Sequence, residues 1–126
     1  MTLSDTSVWV QHFRKKTPYF SALLENTAIL THPFVIGELA CGNLKDRVQY
    51  LNSLQKLPRA QFVKDAEVLE LVERKKLWGR GIGWIDMRLL ASALVTGCAL
   101  WTLDHALKQA AIENGVTVIA HEPLVE

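Results

Sequence analysis

The sequence predicts an α/β domain with three layers, in which helices cover both faces of a mainly parallel central sheet. Short apolar segments that suit buried strands alternate with helical segments along the whole chain. The 126 residues suffice for one domain with a substantial core, and no repeat, low-complexity tract or linker divides them. We therefore expect a single domain over residues 1–126.

The composition is that of a globular protein and gives no sign of a membrane or secreted protein. Hydrophobic residues make up 49% and charged residues 21%, which argues against a disordered chain. The formal net charge of +1 neither requires nor excludes a polyanionic partner. The longest apolar stretch, residues 89–103, is shorter than the roughly 20 residues of a spanning helix. Because Asp5 stands where a secretory signal would carry basic residues and then an apolar stretch, the sequence predicts a cytoplasmic protein.

The first part of the chain shows two apolar strand segments and five helical segments. Pro18 suits the first turn of a helix, where its missing N–H is not needed. The segment 33–44 is apolar on almost all sides, which indicates a buried helix with Glu38 as its only charge. Pro58 separates the amphipathic helices that follow. In chain order, these patterns predict a strand at 2–5, helices at 7–15 and 18–25, a strand at 28–31, and helices at 33–44, 46–57 and 64–76.

The second part begins with a loop, because residues 78–84 contain three glycines at alternate positions. Apolar residues then recur at helical spacing from Ile85 onward, which predicts a helix. Residues 99–102 are typical of a buried strand. A helix at 104–114 that ends at Gly115 and a final strand at 116–119 complete the prediction.

Four acidic residues stand inside or directly beside apolar segments, where charge is not expected. They are Asp5, Glu38, Asp86 and Asp104. An isolated carboxylate is costly to bury unless a cation or hydrogen-bond donors meet it. In parallel sheets, ligands bind beyond the carboxyl ends of the strands, which is where Asp5 and Asp104 fall. The pattern indicates a shared site for a hard divalent cation, provided that the fold gathers the four carboxylates.

Each acid also has a purely structural interpretation. Asp5 and Asp104 precede helices, so each suits an N-cap. Asp86 lies in a first helical turn, where the helix dipole favours an anion. Glu38 has only one such alternative, a buried ion pair with an arginine such as Arg88.

Other polar residues are candidates for supporting roles. Thr6, Ser7 and Thr102 flank the acids with hydroxyls that suit orienting a carboxylate or a metal-bound water, and they also suit caps or strand positions. Cations near helix ends suit phosphate binding, although most such residues form solvated faces. The candidate RNA contacts are Arg80 in the glycine-rich loop, Arg88, and Lys76 in one of the two basic triplets, 14–16 and 74–76.

Four segments, residues 5–9, 31–39, 79–91 and 101–104, resemble in order and spacing the motifs of PIN-domain proteins, specifically the VapC toxins of bacterial toxin–antitoxin pairs. The resemblance covers nearly the whole chain. It implies a PIN-like fold, a homodimer and a cognate VapB-like antitoxin that blocks the active site. It also implies that the four acids bind Mg²⁺ or Mn²⁺ for endoribonuclease cleavage of structured RNA, tRNA-like or rRNA-like, by a metal-activated water.

Two other classes of protein suit parts of the pattern. A phospho-accepting receiver domain has a similar length and an aspartate at a strand end, but it pairs acids near the first strand and has a lysine after a late strand. This chain shows neither feature. A non-catalytic RNA-binding module would use Arg80 and the basic triplets, but bare carboxylates would repel phosphate.

Overall fold

The structure, a computed structural model, describes residues 1–119. It confirms the predicted α/β class, with three parallel strands in one sheet and seven helices in the described part of the chain. The elements are β1 (Thr2–Ser4), α1 (Thr6–Arg14), α2 (Pro18–Glu25), β2 (Ile29–Leu30), α3 (Pro33–Cys41), α4 (Arg47–Lys56), α5 (Asp65–Arg74), α6 (Trp84–Thr96), β3 (Ala99–Trp101) and α7 (His105–Glu113).

The strand order β2-β1-β3 puts the first strand at the centre of the sheet. Leu3 pairs with Leu30 on one side and with Leu100 on the other. Leu3 and Leu100 are completely buried, as expected for strands with both faces covered. Because the strands are parallel, their carboxyl ends meet at one edge, and the segments after β1 and β3 lie together there.

The predicted last strand is much shorter than expected. Within residues 1–119, the segment 116–119 forms only one parallel bridge, between Leu100 and Val118. The backbone N–H of Leu100 donates to the carbonyl of Thr117 at 2.8 Å, and that of Ile119 donates to the carbonyl of Leu100 at 3.2 Å. Val118 therefore continues the sheet beyond β3 at a single position.

Helix α3 also differs from the prediction. The expectation of a helix buried on nearly all sides is wrong, because only Val35 and Leu39 are buried in it and Glu38 is exposed. The helix ends at Cys41, and Gly42 follows as its C-cap. An apolar composition does not specify burial when the helix packs on the core along one stripe.

Membrane insertion was not expected from the sequence. Among the described residues, no helix is long and apolar enough to cross a membrane, and the longest, α6, has 13 residues.

Candidate active site

The acidic site begins at the carboxyl end of the central strand. Asp5 follows β1 directly, and its backbone N–H donates to the carbonyl of Trp101 at the end of β3, at 3.0 Å. This bond ties the end of one strand to the end of its neighbour. The segment from Trp101 to Asp104 is thereby held beside Asp5.

Asp5 is buried and receives several hydrogen bonds. Ser7 Oγ donates to Asp5 Oδ1 at 2.5 Å, the backbone N–H of Val8 donates to the same oxygen at 3.1 Å, and Thr102 Oγ1 donates to Asp5 Oδ2. Burial raises the pKa of Asp5 above its ordinary value, while the hydrogen bonds from Ser7, Thr102 and Val8 act in the opposite direction. The donors therefore favour the charged form that a cation site needs.

Thr102 connects Asp5 to Asp104. While its hydroxyl donates to Asp5, the same oxygen accepts the backbone N–H of Asp104 at 3.0 Å. Asp104 Oδ1 accepts the backbone N–H of Leu107 at 2.9 Å and caps α7. Asp5 and Asp104 are both N-caps, as the structural interpretation expected, but each uses only Oδ1 for capping.

Glu38 reaches the site from α3. Its Oε1 accepts a hydrogen bond from Thr6 Oγ1 at 2.7 Å, which links α3 to the first residue of α1. The alternative of an ion pair with Arg88 is wrong, because Arg88 pairs with Asp65 instead. No ion pair within residues 1–119 involves Glu38, so no cation of that part of the chain lies within ion-pair distance of its carboxylate.

Asp86 shows that the four acids share one electrostatic site. It lies in the first turn of α6 and is half-buried. Burial, together with the charges of Asp5, Asp104 and Glu38, raises its pKa to about 6. Repulsion of this kind requires the carboxylates to be near one another, although they come from four separate segments of the chain.

The donor set suits a hard divalent cation, which prefers carboxylate oxygens. The arrangement is more open than a closed metal cage, since nowhere in residues 1–119 do three His, Cys, Asp or Glu side chains form a ready cluster. Capping leaves Oδ2 of Asp104 without a hydrogen bond within those residues. Only Oε1 of Glu38 accepts a hydrogen bond from a described residue, and it comes from Thr6.

The three predicted RNA-binding cations have different environments. Arg88 is buried, with Asp65 and the carbonyl of Val63 as partners, so the prediction that it contacts RNA must be revised. Its guanidinium lies 4.4 Å from the ring centroid of Phe34 and 4.9 Å from that of Phe62, and Trp84 completes this aromatic surround. Arg88 therefore links α6 to Val63 and Asp65.

Arg80 and Lys76 remain near the surface. Arg80 forms a bidentate ion pair with Glu113 on α7, with N–O distances of 3.0 Å and 2.5 Å. Its hydrogen bond to Glu113 lowers the pKa of that carboxyl. Lys76 is exposed just after α5, and no ion pair with another described residue occupies it.

The sequence did not indicate the contacts of two residues that position candidate side chains, Glu113 and His32. Glu113 lies 33 positions from Arg80, and no local pattern indicates the pair. His32 caps α3, the helix that carries Glu38, by accepting the backbone N–H of Phe34 on Nδ1 at 3.1 Å. Pro33 at the first helical position was a usable signal for this cap, since the residue before such a proline is the N-cap.

Two acids thus follow neighbouring parallel strands, and two more lie on helices α3 and α6. The sequence profile of the PIN domain matches residues 2–113, and the chain belongs to this family. Two relatives are both named Ribonuclease VapC32 and come from Mycobacterium tuberculosis, strains CDC 1551 / Oshkosh and ATCC 25618 / H37Rv. Each is 46% identical over 119 residues, which covers 94% of this chain and 96% of the relative. The similarity places the chain with the VapC-type members of the family and excludes the receiver-domain alternative.

Proposed function

We propose that this protein is a metal-dependent endoribonuclease toxin, in which Asp5, Glu38, Asp86 and Asp104 hold Mg²⁺ or Mn²⁺. The observation that supports the proposal is that Asp5 and Asp104 follow neighbouring strand ends joined by the Asp5–Trp101 backbone bond, with Asp86 close enough for the charges of Asp5, Asp104 and Glu38 to raise its pKa. Without a cation, such a group repels the phosphate backbone of any nucleic acid. The name Ribonuclease of the two relatives supports RNA as the substrate.

The chain's own residues would bind and orient the reacting groups. When bound, a divalent cation supplies positive charge and activates a water for attack on phosphorus. Ser7 and Thr102 hold both carboxylate oxygens of Asp5 in one orientation, and Thr6 does the same for one oxygen of Glu38. A bound cation would offset the burial and the repulsion that raise the pKa of Asp86, so that Asp86 would be held in its charged form.

The substrate is proposed to be structured RNA, tRNA-like or rRNA-like, that is cut at an exposed loop. Hydrolysis by an activated water needs no 2′-hydroxyl as nucleophile and leaves a 5′-phosphate and a 3′-hydroxyl. Cleavage products with a 2′,3′-cyclic phosphate would contradict this route.

Cleavage assays test the assignment of the acids. Glu38→Gln and Asp86→Asn should each abolish RNA cleavage in Mg²⁺ while leaving the protein folded. Glu25→Gln is a matched control, because Glu25 is an exposed helical glutamate outside the acidic site. Retained cleavage in a folded Glu38→Gln or Asp86→Asn protein, or equal activity with and without a chelator, would overturn the proposal.

A VapB-like antitoxin, a homodimeric assembly and a cytoplasmic location belong to the same proposal. An antitoxin arginine inserted among four carboxylates would supply the positive charge that the cation otherwise provides. The purified partner, titrated into an RNA-binding assay on the Asp104→Asn protein, should therefore displace RNA. RNA that stays fully bound at saturating partner would show that the two surfaces are separate.

A further inference from the structure

We propose that a cleft next to the acidic site binds the nucleotide that flanks the scissile phosphate, with its base on Tyr50 and its phosphate between Arg14 and Lys45. This inference rests on the ribonuclease function proposed above and adds a substrate subsite to it. The residues of the subsite lie outside the set of acids.

The cleft lies between α1, α3 and α4 and has a volume of about 520 Å³. That volume is within the range of roughly 300 to 1,000 Å³ typical of small-molecule sites, so it admits a nucleotide. Thr6 and Glu38, joined by their 2.7 Å hydrogen bond, line both the cleft and the acidic site. A strand whose scissile phosphate lies at the acids can therefore extend into the cleft.

Tyr50 gives the cleft an aromatic surface. Tyr50 on α4 is 41% exposed, although aromatic rings usually bury most of their surface. Its ring packs edge-on against Phe13 of α1, with centroids 5.1 Å apart and an interplanar angle of 68°. Phe13 thus fixes the orientation of a ring that remains accessible, which is what stacking on a base of any sequence needs.

Two basic residues, Arg14 and Lys45, line the cleft. Arg14 is the last residue of α1, and Lys45 lies in the connection between α3 and α4; both are exposed and line the cleft. Within residues 1–119, neither takes part in an ion pair. Asp46 also lines the cleft, and with Glu38 committed to the metal site the remaining charges, two positive and one negative, give +1. This balance favours an anionic group such as a phosphate.

RNA binding by a cleavage-dead protein tests the subsite. The parent is Asp104→Asn, since Asp104 does not line the cleft. The probe is a short fluorescein-labelled single-stranded RNA, and its dissociation constant is measured by anisotropy in Mg²⁺ over a range of salt concentrations. Tyr50→Ala should weaken binding roughly 5- to 140-fold with the salt dependence unchanged, because stacking is not ionic. Tyr50→Phe, which keeps the ring, should bind like the parent.

Substitution of the two basic residues should change the salt dependence of RNA binding, which substitution of Tyr50 should not. Arg14→Gln and Lys45→Gln should each lower the slope of log affinity against log salt by about 0.7, the value for one phosphate contact on a single strand. Lys56→Gln is the control, because Lys56 is also an exposed basic residue at the last position of a helix, forms no ion pair within residues 1–119 and does not line the cleft. It should leave both affinity and slope unchanged. Thermal unfolding of each variant verifies that the fold is retained.

The results of these experiments distinguish failure of the proposed subsite from failure of the proposed ribonuclease function. If the protein without substitutions cleaves RNA but Tyr50→Ala and Arg14→Gln bind the probe like the parent, the subsite is wrong and the ribonuclease proposal stands. If Tyr50→Ala leaves RNA binding intact and weakens binding of the purified antitoxin, the cleft is a protein-docking site and the RNA subsite is overturned. Absence of any metal-dependent RNA cleavage would overturn both proposals.

Discussion

Thr102 donates its hydroxyl hydrogen to Oδ2 of Asp5, although the two residues are 97 positions apart in the sequence. The bond joins the segment after β3 to the end of β1, beside the backbone bond between Asp5 and Trp101. Thr102 thereby orients Asp5, the most buried of the four acids, and, through its backbone N–H, Asp104, the exposed N-cap of α7. One hydroxyl thus sets the relative position of two proposed metal ligands.

Thr102→Val should destabilise the protein, because valine has a similar shape but leaves Asp5 Oδ2 without this donor. Loss of a hydrogen bond to a charged group costs about 1.5 to 3 kcal/mol. The free energy of unfolding in urea measures the loss, and Thr117→Val, a substitution at a threonine with no side-chain bond among residues 1–119, is the control. Equal stability of Thr102→Val and Thr117→Val would show that the bond contributes nothing measurable.

Mg²⁺ or Mn²⁺ should raise the thermal unfolding temperature of the protein, because a ligand that binds only the folded state stabilises it by mass action. At a concentration one hundred times the dissociation constant, the gain is about 2.7 kcal/mol. Asp5→Asn and Asp104→Asn should blunt this gain, while Glu25→Gln should retain it. The same metal-induced shift in all four proteins would exclude a shared site at these acids.

The site illustrates what the sequence could and could not predict. Asp5 and Asp104 were predictable, because acids directly after buried parallel strands fall at the edge where ligands bind. The reason given for Glu38 was wrong, since it is exposed and not buried in an apolar helix, and its place in the metal site stays a prediction. The role of Arg88 was not predictable, because its partner Asp65 is 23 positions away and its aromatic neighbours come from three segments. Local pattern specifies helices and strand ends, whereas long-range pairing depends on the assembled fold.

The metal-free protein should show a pH dependence that is traceable to Asp86. Its pKa is about 6 in the folded protein and 3.8 as an unperturbed group, so the folded state holds the proton more tightly. The stability contribution is therefore complete below pH 3.8 and is lost as the pH rises through about 6. Asp86→Asn should remove this fall, so that with chelator present the variant gains stability relative to the unsubstituted protein between these pH values. Urea unfolding at several pH values measures the difference, and a difference that does not vary with pH would contradict the coupling of Asp86 to the other acids.

Glu113→Gln should strengthen RNA binding if Arg80 contacts phosphate, as the sequence predicts. In the structure Glu113 occupies both arms of the Arg80 guanidinium, so the carboxylate competes with any phosphate for the same donors. Removing its charge frees Arg80, and the slope of log affinity against log salt should increase by about 0.7 on single-stranded RNA. The gain should disappear in the double variant Arg80→Gln, Glu113→Gln, because it depends on the freed arginine.

Glu73→Gln, at an exposed glutamate of α5, is the control for a simple loss of negative charge. Equal RNA affinity of Glu113→Gln and Glu73→Gln would show that Arg80 ties the loop to α7 and does not touch RNA.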